Sequence, residues 1–353
     1  MNRNINVIAN NIKDERCILL LGPHFWLDKD GKELHTKLAD MVKQQADLQI
    51  RYDVDDFLVF KSKSDKTFFY SDLKKFYDQH KEPSPWHTKI AQIPFHAIIS
   101  GSPDLMLKQA FDATGLRCDF QFYNKKQNSQ DLNKPSKDKP LLYNFFGSIQ
   151  EEDSLILTSD DLFEFLFSVL SGEQQLPREL RSTLKAGKIF LFLGFNFQQW
   201  YLKLILRLFE LHRDTLPFTE ESQMTEELKT FYIDNFEMTF IDLTAKECID
   251  EIYEFFKNEN GLKQININKD NPMTAKIKDL IKTGDLENAL IELEDFLDGK
   301  SDDLLNIVIQ KSGEYNRLQR QITKGTIAQS DANLELNKLS DALISIADEL
   351  KTI

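Results

Sequence analysis

The chain has 353 residues, 41% of them apolar and 29% charged, with a formal net charge of −13. This is the composition of a soluble globular protein long enough for two domains, and its acidic balance repels phosphate backbones, which excludes a general nucleic-acid-binding surface. No run approaches the roughly 18 uninterrupted apolar residues of a membrane helix, and the opening Met1-Asn-Arg-Asn-Ile5 has no apolar leader, so the expected location is cytoplasmic, without a membrane partner.

The first strong signal is Cys17-Ile-Leu-Leu-Leu21 followed by Gly22. A short, continuous apolar run ended by glycine reads as a strand buried on both faces of a parallel sheet, turning into a helix. An amphipathic stretch over 33–46 follows, then a strand over 95–100. The alternation of Cys118-Asp-Phe-Gln-Phe-Tyr123 predicts an edge strand. Residues 124–140 read as a loop; its lysines are interrupted by Asp131, Pro135 and Asp138, the pattern of a solvated excursion rather than a binding patch. A strand over 141–145, a helix over 159–170, and a second strand-and-glycine signal, Ile189-Phe-Leu-Phe-Leu193 before Gly194, continue the alternation. A helix over 197–212, a strand over 238–243 and a helix over 246–257 complete it. The spacing predicts βαβ units and a doubly wound, Rossmann-like parallel sheet.

All aromatic residues but Phe296 and Tyr315 precede residue 273, so the chain has two kinds of core. The expected division is an α/β domain over 1–257, a polar, asparagine-rich linker over 258–272 ending in Asn-Pro, and an all-α bundle over 273–353. Gly284, Gly299 and Gly325 are placed to stop its helices, and Ala332, Leu336, Leu339, Leu343, Ile346 and Leu350 form a seam on the last one. The seam reads as bundle packing, with an intermolecular coiled coil, and hence a homo-oligomer, as the alternative. Tyr315, Arg317 and Arg320 are the candidates for partner contact, because tyrosine and arginine dominate interface energetics; Tyr315 also has the phase of a core residue.

Cys17, Cys118 and Cys248 are odd in number and far apart, which excludes a disulfide framework and a four-thiolate zinc site. No metal is expected. Among polar candidates, His24 follows the first turn and reads as a hydrogen-bonding or surface residue unless recruited for chemistry. His87 and His96 read as structural, Asp160 and Asp161 as the start of a helix, and Asn196 either as a cap or as a ribose contact.

The order Leu19-Leu-Leu-Gly22, Ile98-Ile-Ser-Gly-Ser-Pro-Asp104, Leu141-Leu-Tyr-Asn-Phe-Phe-Gly-Ser148 with Leu155-Ile-Leu-Thr158, and Phe192-Leu-Gly-Phe-Asn196 resembles the landmarks of sirtuin-like domains, in the divergent bacterial branch that lacks the zinc module. Ile277-Lys-Asp-Leu-Ile-Lys-Thr-Gly-Asp-Leu-Glu-Asn-Ala-Leu290 and Tyr315-Asn-Arg-Leu-Gln-Arg320 resemble effector-associated domains of bacterial antiphage defence and conflict systems. The resemblance implies a pocket for NAD, ADP-ribose or another nucleotide, built from Gly22, Pro23, His24, Ser100, Ser102, Asp104, Gly147, Gly194, Phe195 and Asn196. It also implies a partner protein carrying a similar effector-associated domain.

The same resemblance implies lost chemistry. Pro23 and His24 stand where the family usually has Ala-Gly, removing one backbone donor and crowding the phosphate turn. Ser102 stands at the family's asparagine, with Asp104 retained, and Phe146 stands at the histidine that acts as general base. The expectation is a catalytically degenerate protein that binds a nucleotide or acts as a scaffold. The alternative is an NAD-consuming effector, activated on assembly, that uses His24, Ser102 and Asp104.

Overall fold

The structure, a computed structural model, describes residues 2–28, 31–44, 50–53, 55–125, 132–171, 176–209, 214–220, 224–265, 272–327 and 329–350. The lysine-rich segment 126–131, the linker residues 266–271 and the ends of the helices expected over 33–46 and 197–212 lie outside the described residues. The chain divides into two compact units, Met1–Asn266 and Ile267–Ile353.

In the first unit the strands are β1 (Cys17–Leu21), β2 (Arg51–Tyr52), β3 (Leu58–Val59), β4 (Ala97–Ser100), β5 (Asp119–Phe122), β6 (Leu141–Asn144), β7 (Ile189–Leu193), β8 (Leu216–Glu220) and β9 (Thr239–Ile241). Seven of them form one parallel sheet in the order β5-β6-β4-β1-β7-β8-β9, and β2 pairs with β3 in a separate antiparallel ribbon. All five residues of β1 and of β7 are buried. Their side chains alternate between two cores: Cys17, Leu19, Leu21, Ile189, Leu191 and Leu193 join one, and Ile18, Leu20, Phe190 and Phe192 the other. Helices Arg3–Lys13, Pro85–Gln92, Met106–Ala113 and Ala245–Asn258 contribute to the first core. Helices Ser159–Ser171, Arg178–Ala186 and Leu202–Leu208 contribute to the second. This is the expected doubly wound, Rossmann-like α/β architecture.

The chain winds from β1 through β4 to one edge, then returns to β7 on the other side of β1. The carboxyl ends of β1 and β7 therefore flank the switch point where doubly wound sheets hold ligands. The helix expected to begin at 197 begins at Leu202, because residues 197–201 form turns stabilised by Gln199 N–H donating to the Asn196 carbonyl.

Among its described residues the second unit has four helices, Pro272–Lys282, Leu286–Leu297, Asp302–Thr323 and Gln329–Glu349. Gly284, Gly299 and Gly325 follow the first three, each at positive φ. Ile277, Leu290, Leu293, Val308, Leu339, Leu343 and Ile346 are among its buried core, so much of the expected seam is packing within this unit. Tyr315 is half-buried against that core, whereas Arg317 and Arg320 are exposed.

Candidate functional site

The carboxyl ends of β1 and β7 pack backbone against backbone. A Cβ on Gly22 would stand 2.2 Å from the Gly194 carbonyl oxygen, and one on Gly194 would stand 2.3 Å from the Phe25 nitrogen. Gly194 also has φ +74, a conformation that L side chains rarely adopt. These positions are glycine because the two turns close on each other. Several amides of the turns donate within the protein: Gly22 N–H donates to the Leu193 carbonyl at 2.8 Å, His24 N–H to the Gly194 carbonyl at 3.0 Å and Phe25 N–H to the Gly22 carbonyl at 3.1 Å. Gly194 N–H donates to Glu220 Oε1 at 2.7 Å. The carboxyl of Glu220 is buried, which pushes its pKa up to about 7 despite the Gly194 hydrogen bond.

Beside these turns lies a cavity of about 110 Å³. Of the residues singled out from sequence, Pro23, His24, Ser102, Phe146, Phe195 and Asn196 line it. Gly22, Ser100, Asp104, Gly147 and Gly194 belong to the supporting backbone and do not line it. Ser100 Oγ accepts from Ser102 N–H at 3.0 Å, setting the bend after β4. Ser102 Oγ donates to Asp104 Oδ2 at 2.5 Å, and Asp104 Oδ1 accepts from Met106 N–H at 2.8 Å. Asp104 thus anchors the start of helix Met106–Ala113, and burial raises its pKa even though these bonds oppose the shift. Gly147 has φ +88 and lies against the Ser154 carbonyl. Asn196 Oδ1 accepts from Gln198 N–H at 3.2 Å, a cap on the following turns, while the residue still borders the cavity.

Phe146 is buried among Phe145, Phe165 and Tyr201, with ring centroids 4.2, 6.3 and 6.4 Å away. It brings an apolar face to the cavity where the resemblance implies a base.

Sequence reasoning missed His35, Tyr52 and Asp56, which border the same cavity. His35 lies in the first turn of helix Leu34–Gln44; Tyr52 ends β2, and Asp56 lies in the loop to β3 at φ +62. That loop is organised by Asp53, whose Oδ1 accepts from Asp55 and Phe57 N–H at 2.8 and 2.9 Å. His24 Nε2 lies 3.8 Å from Asp56 Oδ2, and His35 Nε2 lies 4.0 Å from Asp56 Oδ1. Burial, and the proximity of His24, hold His35 below its ordinary range. A ribbon of two-residue strands carries no periodicity signal, so nothing in the sequence placed Asp56 beside either histidine.

The remaining polar candidates do not line this cavity. His87 is buried in helix Pro85–Gln92, Nδ1 accepting from Ser84 N–H at 3.0 Å, with its pKa lowered to about 3 by burial. His96 is also buried, and its pKa is lowered by desolvation. Asp161 accepts from Thr158 N–H at 3.0 Å and pairs with Lys66 at 2.6 Å; although burial alone would raise its pKa, these partners hold it below the ordinary value. Asp160, beside it, occupies the first turn of helix Ser159–Ser171.

Residues 97–219 match the family model of the SIR2-like domain, and residues 272–351 match that of effector-associated domain 11. The chain carries both domains. Their pairing fits an effector of a defence system. A search of curated proteins finds no match to the chain. The SIR2-like match includes Ser102, Phe146 and Asn196 but begins after Gly22, Pro23 and His24. No helix among the described residues is long and apolar enough to cross a membrane.

Proposed function

We propose that this protein is a catalytically degenerate SIR2-like component of a bacterial antiphage defence system, which acts as a scaffold and recruits a partner through its effector-associated domain. The observation that carries this reading is the closed turn: the amides of Gly22, His24, Phe25 and Gly194 already have protein acceptors, one of them the carboxyl of Glu220. A helix-entry turn holds phosphate by offering free N–H groups and a favourable field. Here those four donors are occupied, and the Glu220 carboxylate, when ionised, repels phosphate. Phe146 supports the same reading, since a phenyl ring cannot accept the proton of a ribose hydroxyl.

Recruitment rests on the C-terminal unit and its family. The partner class that fits is a protein with a similar effector-associated domain, and the exposed Arg317 and Arg320 are the contact residues we assign on it.

Calorimetry on the purified full chain with NAD, ADP-ribose and ATP tests the scaffold reading. No heat with any of the three is expected. Saturable binding of NAD or ADP-ribose, weakened by Asn196→Ala or Ser102→Ala, would instead make the pocket a nucleotide sensor.

A further inference from the structure

We infer that His24, His35 and Asp56 form a binding site for a divalent late-transition-metal ion, of which Zn²⁺ is the representative. This goes beyond the scaffold reading and does not depend on it. The three side chains come from separate segments: the turn after β1, the first turn of helix Leu34–Gln44, and the loop between β2 and β3. One ligand atom from each lies within 4.8 Å of the others. A tetrahedral ion with bonds of about 2.0–2.1 Å spaces its ligands about 3.3 Å apart, so closure needs a movement of about an ångström.

The donor set decides the class of ion. Two imidazoles and a carboxylate suit zinc and its first-row neighbours, whereas magnesium and calcium take oxygen ligands. The carboxylate is held in place from outside the triad, because Gln199 Nε2 donates to Asp56 Oδ2 at 3.0 Å. Such a support orients a ligand before the ion arrives. The loop also keeps Asp56 at φ +62, an uncommon conformation for a non-glycine residue. All three residues border the cavity beside the turns, as does Tyr52, whose buried hydroxyl has no partner among the described residues. Three protein ligands on the wall of a cavity leave a coordination position for water or a ligand oxygen. The expectation of no metal rested on the cysteines, which remain unsuited to one; this site uses nitrogen and oxygen.

The test is equilibrium dialysis of the tag-free, metal-stripped full chain against Zn²⁺, with Co²⁺ as a spectroscopic stand-in. One equivalent of Zn²⁺ should bind in the presence of excess Mg²⁺, and Co²⁺ should give the intense visible absorption of a low-coordinate nitrogen-and-oxygen site. His35→Ala and Asp56→Asn should each weaken binding at least about tenfold, since even loss of an outer support commonly costs that much. Asparagine tolerates the left-handed conformation at position 56, and circular dichroism shows whether each variant is folded. His80→Ala, away from the cavity, should leave binding unchanged. Absence of stoichiometric binding, or binding that survives both ligand substitutions, would overturn the assignment.

Discussion

At the scale of single residues, the closed turn makes Glu220 the most informative side chain. Its pKa is about 7 in the folded protein against 4.5 for an ordinary glutamate. At this group the folded state therefore binds more protons than the unfolded state between these values, and its contribution to stability is lost as pH rises through that window. The full effect is about 3 kcal/mol. Glu220→Gln keeps an acceptor for the Gly194 amide and removes this titration, so the parent's unfolding free energy should fall relative to the variant's as pH rises through the window. Denaturant melts at a series of pH values measure this, and parallel curves for both proteins would refute the burial argument. Gly194→Ala tests the closure itself. It forces a side chain into positive φ and against Phe25, and should cost at least about 2 kcal/mol. A variant with the parent's melting temperature would show that the turns have room to open.

These two residues also show what the sequence discloses at this scale. Gly22 and Gly194 are legible as strand-ending glycines because the apolar runs before them are unambiguous. Their purpose is not, because a glycine that admits phosphate and a glycine that admits a neighbouring turn leave the same letter. Glu220 was invisible: a carboxylate after Leu216-Pro-Phe-Thr is polar by type, and only the fold reveals that it points at a buried amide.

At the scale of elements, β8 was missed for a related reason. Pro217 removes a ladder donor, and proline inside a run argues against a strand, yet β8 lies between β7 and β9 in the sheet. The edge strand β5 was legible from its alternation, and the helices of the second unit from their stop glycines and apolar spacing. That unit makes a paired prediction. Leu343 is fully buried in its core, so Leu343→Ala should cost about 2–5 kcal/mol, while the exposed Arg317→Glu and Arg320→Glu should change stability by no more than about 0.5 kcal/mol. If recruitment uses this face, the arginine variants lose pulldown of the partner with their melting curves unchanged. Retained pulldown would refute the assignment of Arg317 and Arg320.

At the scale of the whole molecule, separate cores in Met1–Asn266 and Ile267–Ile353 imply that each unit can fold by itself. A chain ending at Asn266 should remain soluble with a cooperative thermal transition, and should lose partner recruitment. Aggregation of that truncated chain on expression would contradict the independence of its core.

The proposed catalytic degeneracy of the SIR2-like unit predicts that its pocket turns over no NAD. The most direct test is nicotinamide release from NAD by the purified full chain. Release indistinguishable from a no-protein control is the predicted result. Rapid NAD depletion that is abolished by Ser102→Ala or Asp104→Ala would contradict it.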